Sequence, residues 1–149
     1  MTLIRRTARR ALLVAALLAV VTAHADLAAA DGALAVGLPS DVAAEGFAYG
    51  FSLDQPTAEQ ARAEALQETE TPGVDPRAQA LCAVVQTFKN QCFAVAMDPK
   101  DATPGVGWSI APDKAAAGRD ALARCAATAG DDRRDACEVT HSGCDGTAR

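Results

Sequence analysis

Histidine, positive charge and long hydrophobic runs are all scarce in this sequence. There are two histidines in 149 residues, and 14 Lys and Arg stand against 19 Asp and Glu, a net charge of −5. So few imidazoles argue against a zinc site, which needs several imidazole or thiolate ligands. The acidic excess argues against a nucleic-acid partner, because phosphate binding depends on clustered Lys and Arg. We therefore predict no cofactor, no metal and no nucleic acid.

The hydrophobic run nearest the N-terminus, Ala11 to Val21, is well short of the roughly 20 residues that span a membrane. It is followed by the small-residue triplet Ala23-His24-Ala25 and preceded by four arginines: Arg5, Arg6, Arg9 and Arg10. This order is typical of a secretory signal peptide. We predict a signal peptide over residues 1–25, a single domain over residues 26–149, and no membrane span after cleavage.

Cleavage changes both the charge and the chemistry expected of the cysteines. It removes four of the 14 basic residues and none of the 19 acidic ones, which takes the net charge from −5 to −9. An acidic surface of this kind fits either simple solvation or a basic partner. Export to the periplasm or beyond the cell favours disulfides. Five cysteines allow two bridges and leave one thiol, and their spacing alone leaves the pairing open. They are Cys82, Cys92, Cys125, Cys137 and Cys144.

The exported chain is organised as an internal duplication. The segment Gly32 to Val36 aligns with Cys92 to Ala96, and each half continues with a turn-rich stretch, an aromatic strand, an Ala-rich helix and a strand that begins at a cysteine. Thr57 and Asp113 are the expected helix N-caps, the first in a capping box with Gln60. We predict an α+β fold of two tandem strand-strand-helix-strand repeats, over about 32–88 and 92–144, forming one small disulfide-stapled domain.

Several of these features occur together in a known family. Gly-Ala-Leu-Ala-Val, an aromatic-glycine hairpin, the Ala-rich helices and the stretch Cys-x-Val-Val-x-x-Phe-x-Asn-x-Cys lie in this order. The pattern resembles the secreted bacterial family catalogued as domain of unknown function 4189. The resemblance covers about Gly32 to Cys144 and is most specific over Cys82 to Ala96. That family has no assigned chemistry, so the resemblance implies export and a fold but no activity.

The resemblance also bears on the cysteine pairing. Family members usually carry a sixth cysteine at the end of the first helix, where the internal alignment places Thr69 opposite Cys125. Cys125 and Cys137 are then natural partners, and the same geometry would pair position 69 with Cys82. Because Thr69 cannot form a bridge, Cys82 is the implied unpaired thiol. The implied disulfides are Cys125–Cys137 and Cys92–Cys144.

The unpaired thiol allows three interpretations. Cys82 can be an inert side chain whose burial raises its pKa, a link to a second chain, or a reactive nucleophile. A nucleophile would need a base, and His141 is the histidine that remains after cleavage. The aromatic strands pose a similar choice between core packing and a ligand-facing strip. Their rings are Phe47, Tyr49, Phe51 and Trp108.

The leading functional hypothesis is an exported binding or interaction module of the cell envelope or extracellular space, whose partner is another secreted or envelope protein. A thiol-dependent or other small secreted enzyme using Cys82 and His141 is the first alternative. A structural envelope protein is the second. We assign no catalytic residue, and the sequence predicts no oligomeric state.

Overall fold

The computed structural model describes residues 31–69 and 75–149, so the predicted signal peptide lies outside the described residues. In these ranges the chain forms six strands, four helices and a short 3-10 helix at Arg134–Ala136. The strands are β1 (Asp31–Gly37), β2 (Ala48–Gln55), β3 (Ala83–Phe88), β4 (Cys92–Met97), β5 (Val106–Ala111) and β6 (Glu138–Cys144). The helices are α1 (Val42–Glu45), α2 (Ala58–Glu68), α3 (Pro76–Ala80) and α4 (Lys114–Thr128).

Each half of the chain builds one antiparallel sheet of three strands. The first sheet has the order β2-β1-β3 and the second has the order β5-β4-β6. The predicted α+β class and the strand-strand-helix-strand order are confirmed in both halves. The turn-rich stretch after β1 also contains α1, a single turn that begins where the Asp41 side chain accepts a hydrogen bond from the Ala44 amide.

Strand alternation decides which side chains lie between the two sheets. In β1, Leu34 and Val36 join a core that also contains Phe93 and Val95 of β4. The small side chains between them face outward, where Ala33 and its neighbours pack on α2, and the corresponding face of β4 packs on α4. Successive residues of a strand point to opposite faces. The layers are therefore α2, first sheet, second sheet and α4.

The two long helices begin at the predicted caps. Thr57 Oγ1 accepts a hydrogen bond from the Gln60 amide at 3.2 Å, and Asp113 Oδ1 accepts one from the Ala116 amide at 2.7 Å. The reciprocal half of the expected capping box is different. The Thr57 hydroxyl donates to Gln60 Oε1 at 3.3 Å, so the Gln60 side chain binds the cap's hydroxyl group instead of its main-chain amide.

Both helices lie so close to their sheets that the strand beneath needs glycine. A Cβ on Gly50 would come within 2.2 Å of the Ala65 carbonyl oxygen, and one on Gly107 would come within 2.4 Å of that of Ala121. Alanine side chains permit this close approach. The two glycines therefore occupy equivalent positions in the two halves.

The outer strands β3 and β6 share an irregularity. The ladder register shifts between Leu34 and Ala35 where β1 meets β3, and between Val95 and Ala96 where β4 meets β6. In each case one residue of the outer strand is extra, which is a β-bulge on an edge strand. The extra residues are Val85 and Thr140.

These shared shifts correct the internal alignment of the first strands. They make Leu34 equivalent to Val95, so Gly32 corresponds to Phe93 and not to Cys92. The alignment predicted from the sequence was one residue out. Alternating small and larger apolar residues match almost equally well in either register, although a slip of one residue would exchange the two faces of a strand.

Candidate functional site

Both disulfides lie in the second half of the chain. Cys92 and Cys144 face each other on the paired strands β4 and β6, with Cα atoms 3.9 Å apart. Cys125 of α4 is bonded to Cys137, just before β6, with a Cα separation of 6.0 Å. These are the pairs that the family resemblance implied. The first links β4 to β6 within the second sheet, and the second links α4 to the start of β6.

Cys82 is the free cysteine among the described residues, and it lies half-buried just before β3. Its Sγ is 3.7 Å from the Ala78 carbonyl oxygen. A Cβ on Gly37 would come within 2.8 Å of the same sulfur atom. Burial raises the pKa of the thiol, and the neighbouring Thr69 side chain opposes that rise in part. A thiol with a raised pKa stays protonated at neutral pH and is a poor nucleophile.

Thr69 and Cys82 occupy the place that a disulfide fills in the other half. A Cβ on Gly50 would lie 2.8 Å from the Thr69 amide, and one on Gly107 would lie 2.4 Å from the Cys125 amide. Thr69 is buried, and its hydroxyl donates to the Leu66 carbonyl oxygen at 2.6 Å. Position 69 is therefore equivalent to position 125, as the internal alignment of the helices predicted.

His141 lies on a different face from Cys82. It pairs with Val95 on the side of the second sheet that meets the first sheet, and its Nδ1 is hydrogen-bonded to the Tyr49 hydroxyl. Cys82 instead lies on the helix side of the first sheet, beside Gly37. The structure does not bring thiol and imidazole together, so the dyad considered from the sequence has no geometric support.

The aromatic residues of β2 and β5, with Phe47 just before β2, pack at the edge of the core. Phe47 is 8% exposed, and its ring lies 6.0 Å from that of Trp108. Phe51 packs on Phe93 with ring centroids 4.6 Å apart, while Tyr49 remains half-buried. Burial also raises the pKa of Tyr49. Core packing accounts for most of these rings, and Trp108 keeps part of its surface accessible.

Beside Trp108 the surface forms an apolar depression of about 430 Å³, partly open to solvent, which we call the Leu38 depression. It is lined by Leu38, Val106, Gly107, Trp108, Arg124 and Thr128. Leu38 is 48% exposed although it is a large aliphatic residue. The sequence did not reveal this site, because the end of β1, strand β5 and the last turns of α4 meet only in the folded chain.

The residues after β6 are held by a second arrangement that the sequence did not reveal. Asp145 is fully buried, and its carboxyl group accepts hydrogen bonds from the Asp54 amide at 2.9 Å and the Asn90 amide at 3.2 Å. Asp54 and Asn90 both have positive φ, 55° and 50°. Their side-chain oxygens in turn accept hydrogen bonds from the Gly146 and Thr147 amides. We call this set the Asp145 clasp, and it connects the end of β2 with the turn between the two sheets.

Asp98, at the end of β4, is paired with Arg133 from the loop after α4. Its side chain is 0% exposed and accepts hydrogen bonds from Arg133 Nε at 2.8 Å and Nη2 at 2.5 Å. The Lys100 amide donates a third at 3.0 Å. The Arg133 guanidinium, with help from the Lys100 amide, lowers the pKa of Asp98 to about 2.

We expect this pair to make stability depend on acid pH. A depressed carboxyl pKa stabilises the fold above the unfolded-state value of roughly 4, and that contribution is lost as the pH falls toward 2. Between pH 5 and pH 2, the free energy of unfolding measured with urea should therefore fall less for Asp98→Asn than for the parent protein. Equal acid sensitivity of the two proteins would contradict the assignment.

Two further observations concern the described residues only. In residues 31–69 and 75–149, no group of three or more His, Cys, Asp or Glu is placed to hold a metal ion. Over the same ranges, no helix has both the length and the apolar character needed to cross a membrane.

The comparisons with known proteins give a family but no activity. A model for a domain of unknown function, DUF4189, matches residues 32–144. The chain belongs to the DUF4189 family. The DUF4189 match runs from β1 to β6 and includes both sheets, both disulfides and Cys82. Neither the curated proteins nor the solved structures contain a match. The disulfides are consistent with an exported protein.

Proposed function

We propose that this chain is an exported binding module that acts in the periplasm or outside the cell and contacts another secreted or envelope protein. Residues 1–25 direct its export and are removed, so the working domain begins at Asp26. The observation that carries the proposal is the apolar surface left at one end of the first sheet, where Leu38 borders Trp108.

This surface has the composition of a protein-binding site. Leu38 is 48% exposed and Leu81 is 52% exposed. The two leucines lie at the same end of the sheet, because their chain neighbours Gly37 and Cys82 are in contact. The Trp108 ring stacks on that of Phe47. Aromatic and arginine side chains that are fixed in place contribute much of the binding energy at protein interfaces, and Arg124 lies beside Trp108 here.

The alternative of a thiol enzyme does not share this support. The Cys82 thiol faces α3 and has a raised pKa. His141 is hydrogen-bonded to Tyr49 on the other side of the first sheet. The proposed binding role assigns no chemistry to either residue. It treats Cys82 as a packed side chain and His141 as part of the contact between the two sheets.

Leu38→Asp should weaken partner binding about tenfold or more, because a charge would replace an anchoring aliphatic side chain. The measurement is affinity capture from the exported protein fraction with mass-spectrometric identification, followed by titration of the recovered partner. Leu66→Asp is the matched control, since Leu66 is 39% exposed on α2 and lies outside the Leu38 depression. Equal binding by both variants would contradict the proposal.

A further inference from the structure

At the rim of the Leu38 depression, main-chain groups of β5 are already hydrogen-bonded and are not free to pair with an added β-strand. Thr128 Oγ1 accepts a hydrogen bond from the Val106 amide and donates one to the Val106 carbonyl oxygen, both at 2.9 Å. Arg124 Nη1 donates to the Trp108 carbonyl oxygen at 2.8 Å. Side chains of α4 thus occupy three main-chain groups on the outer edge of β5, two on Val106 and one on Trp108. A peptide that paired along this edge would have to break these bonds, so the depression favours a ligand that enters end-on.

The charge of the depression differs from that of the rest of the molecule. None of its six lining residues is acidic, and Arg124 supplies a positive charge. Within residues 31–69 and 75–149, Arg124 is in no ion pair. Only one of the five N–H donors of its guanidinium is bound to Trp108, and the bond fixes the group at the rim. A fixed guanidinium is well suited to binding a carboxylate.

The apolar walls require a second chemical feature in the ligand. Leu38, Val106 and the accessible part of Trp108 form a wall that can bury one aliphatic side chain. A ligand that matches both features carries an aliphatic group and a carboxylate a few ångströms apart. The last residue of a polypeptide has these two groups on one Cα when its side chain is leucine-like.

We propose that the Leu38 depression binds the C-terminal residue of a partner protein, with an aliphatic side chain against Leu38 and Trp108 and the terminal carboxylate on Arg124. This inference rests on the proposed function, because it names the part of the partner that the binding module recognises. Arg124 is the residue that distinguishes a free C-terminus from an internal leucine.

The single tryptophan of the chain, Trp108, provides a direct readout by fluorescence. The probes are acetyl-Ala-Ala-Leu with a free carboxylate and the same peptide as its C-terminal amide. The acid should produce a saturable change in Trp108 emission, and the amide should bind about tenfold more weakly, as expected when one charged hydrogen-bond partner is lost.

Variants of two arginines on α4 test the assignment to Arg124. Arg124→Gln should bind acid and amide alike, whereas Arg124→Lys should recover part of the preference for the acid. Arg119→Gln is the control, since Arg119 is exposed on the same helix but does not line the depression. Circular dichroism of each variant establishes that it is folded.

Three results would overturn the inference: equal affinity of the parent protein for acid and amide, a preference for the acid that survives in Arg124→Gln, or no saturable change with the acid at millimolar concentration. Failure here is distinguishable from failure of the proposed function. If Leu38→Asp still weakens partner binding, the binding module stands and only recognition of a C-terminus is lost. If capture survives Leu38→Asp as well, both proposals fall.

Discussion

Asp145→Ala is expected to lower the free energy of unfolding by about 3–5 kcal/mol, because two hydrogen bonds to a buried carboxyl group are lost together. The Asp54 and Asn90 amides would lose their acceptor at the point where the two sheets join. Urea unfolding followed by circular dichroism measures the change. Asp145→Asn should fall between the parent and the alanine variant, since its amide retains one acceptor oxygen.

The matched control for this prediction is Asp120→Ala, which removes an exposed carboxyl group from α4. A surface substitution of this kind usually changes stability by less than about 0.5 kcal/mol. If Asp145→Ala were no more destabilising than Asp120→Ala, the Asp145 clasp would have no role in holding the sheets together.

Thr69→Cys should form a third disulfide with Cys82 and stabilise the protein by about 3 kcal/mol, the amount expected for a loop of this length in the chain-entropy model. The prediction rests on the equivalence of position 69 with Cys125, whose disulfide with Cys137 closes a sequence separation of 12 residues. The Thr69 side chain is close enough to Cys82 to lower the pKa of its thiol, so the two side chains are neighbours.

Two measurements on Thr69→Cys are needed, the melting temperature without reductant and a thiol count in denaturant. The bridged variant should melt at a higher temperature and show no free thiol. Thr69→Cys combined with Cys82→Ser is the control, which keeps the substitution but cannot form the bridge. Two labelled thiols in Thr69→Cys would show that the two halves are not equivalent at this point.

Local patterns in the sequence were sufficient for most of the fold. Thr57 and Asp113 cap their helices as predicted, because capping depends on residues three positions apart. The aromatic strand predicted in the second half is present as Val106–Ala111. The equivalence of Thr69 and Cys125 also held, since it follows from the spacing along two similar helices.

Features that depend on distant contacts could not be read in the same way. Asp145 accepts a hydrogen bond from Asp54, 91 positions away, and nothing near Asp145 in the sequence indicates a buried carboxyl group. The Leu38 depression likewise exists only because Leu38 follows one sheet while Trp108 belongs to the other. The predicted alignment of Gly32 with Cys92 was wrong for a different reason. Alternating apolar residues do not specify the register of a strand without its partner strand.

We propose that this is an exported disulfide domain whose unpaired cysteine is a packed side chain and not a reactive group. The most direct test is a peptide map of the exported protein without reductant, after thiol labelling in native and in denaturing buffer. We expect an N-terminus at Asp26, the bridges Cys92–Cys144 and Cys125–Cys137, and labelling of Cys82 only after denaturation. Rapid labelling of Cys82 in the native protein, or its recovery in a bridge to a second chain, would contradict this proposal.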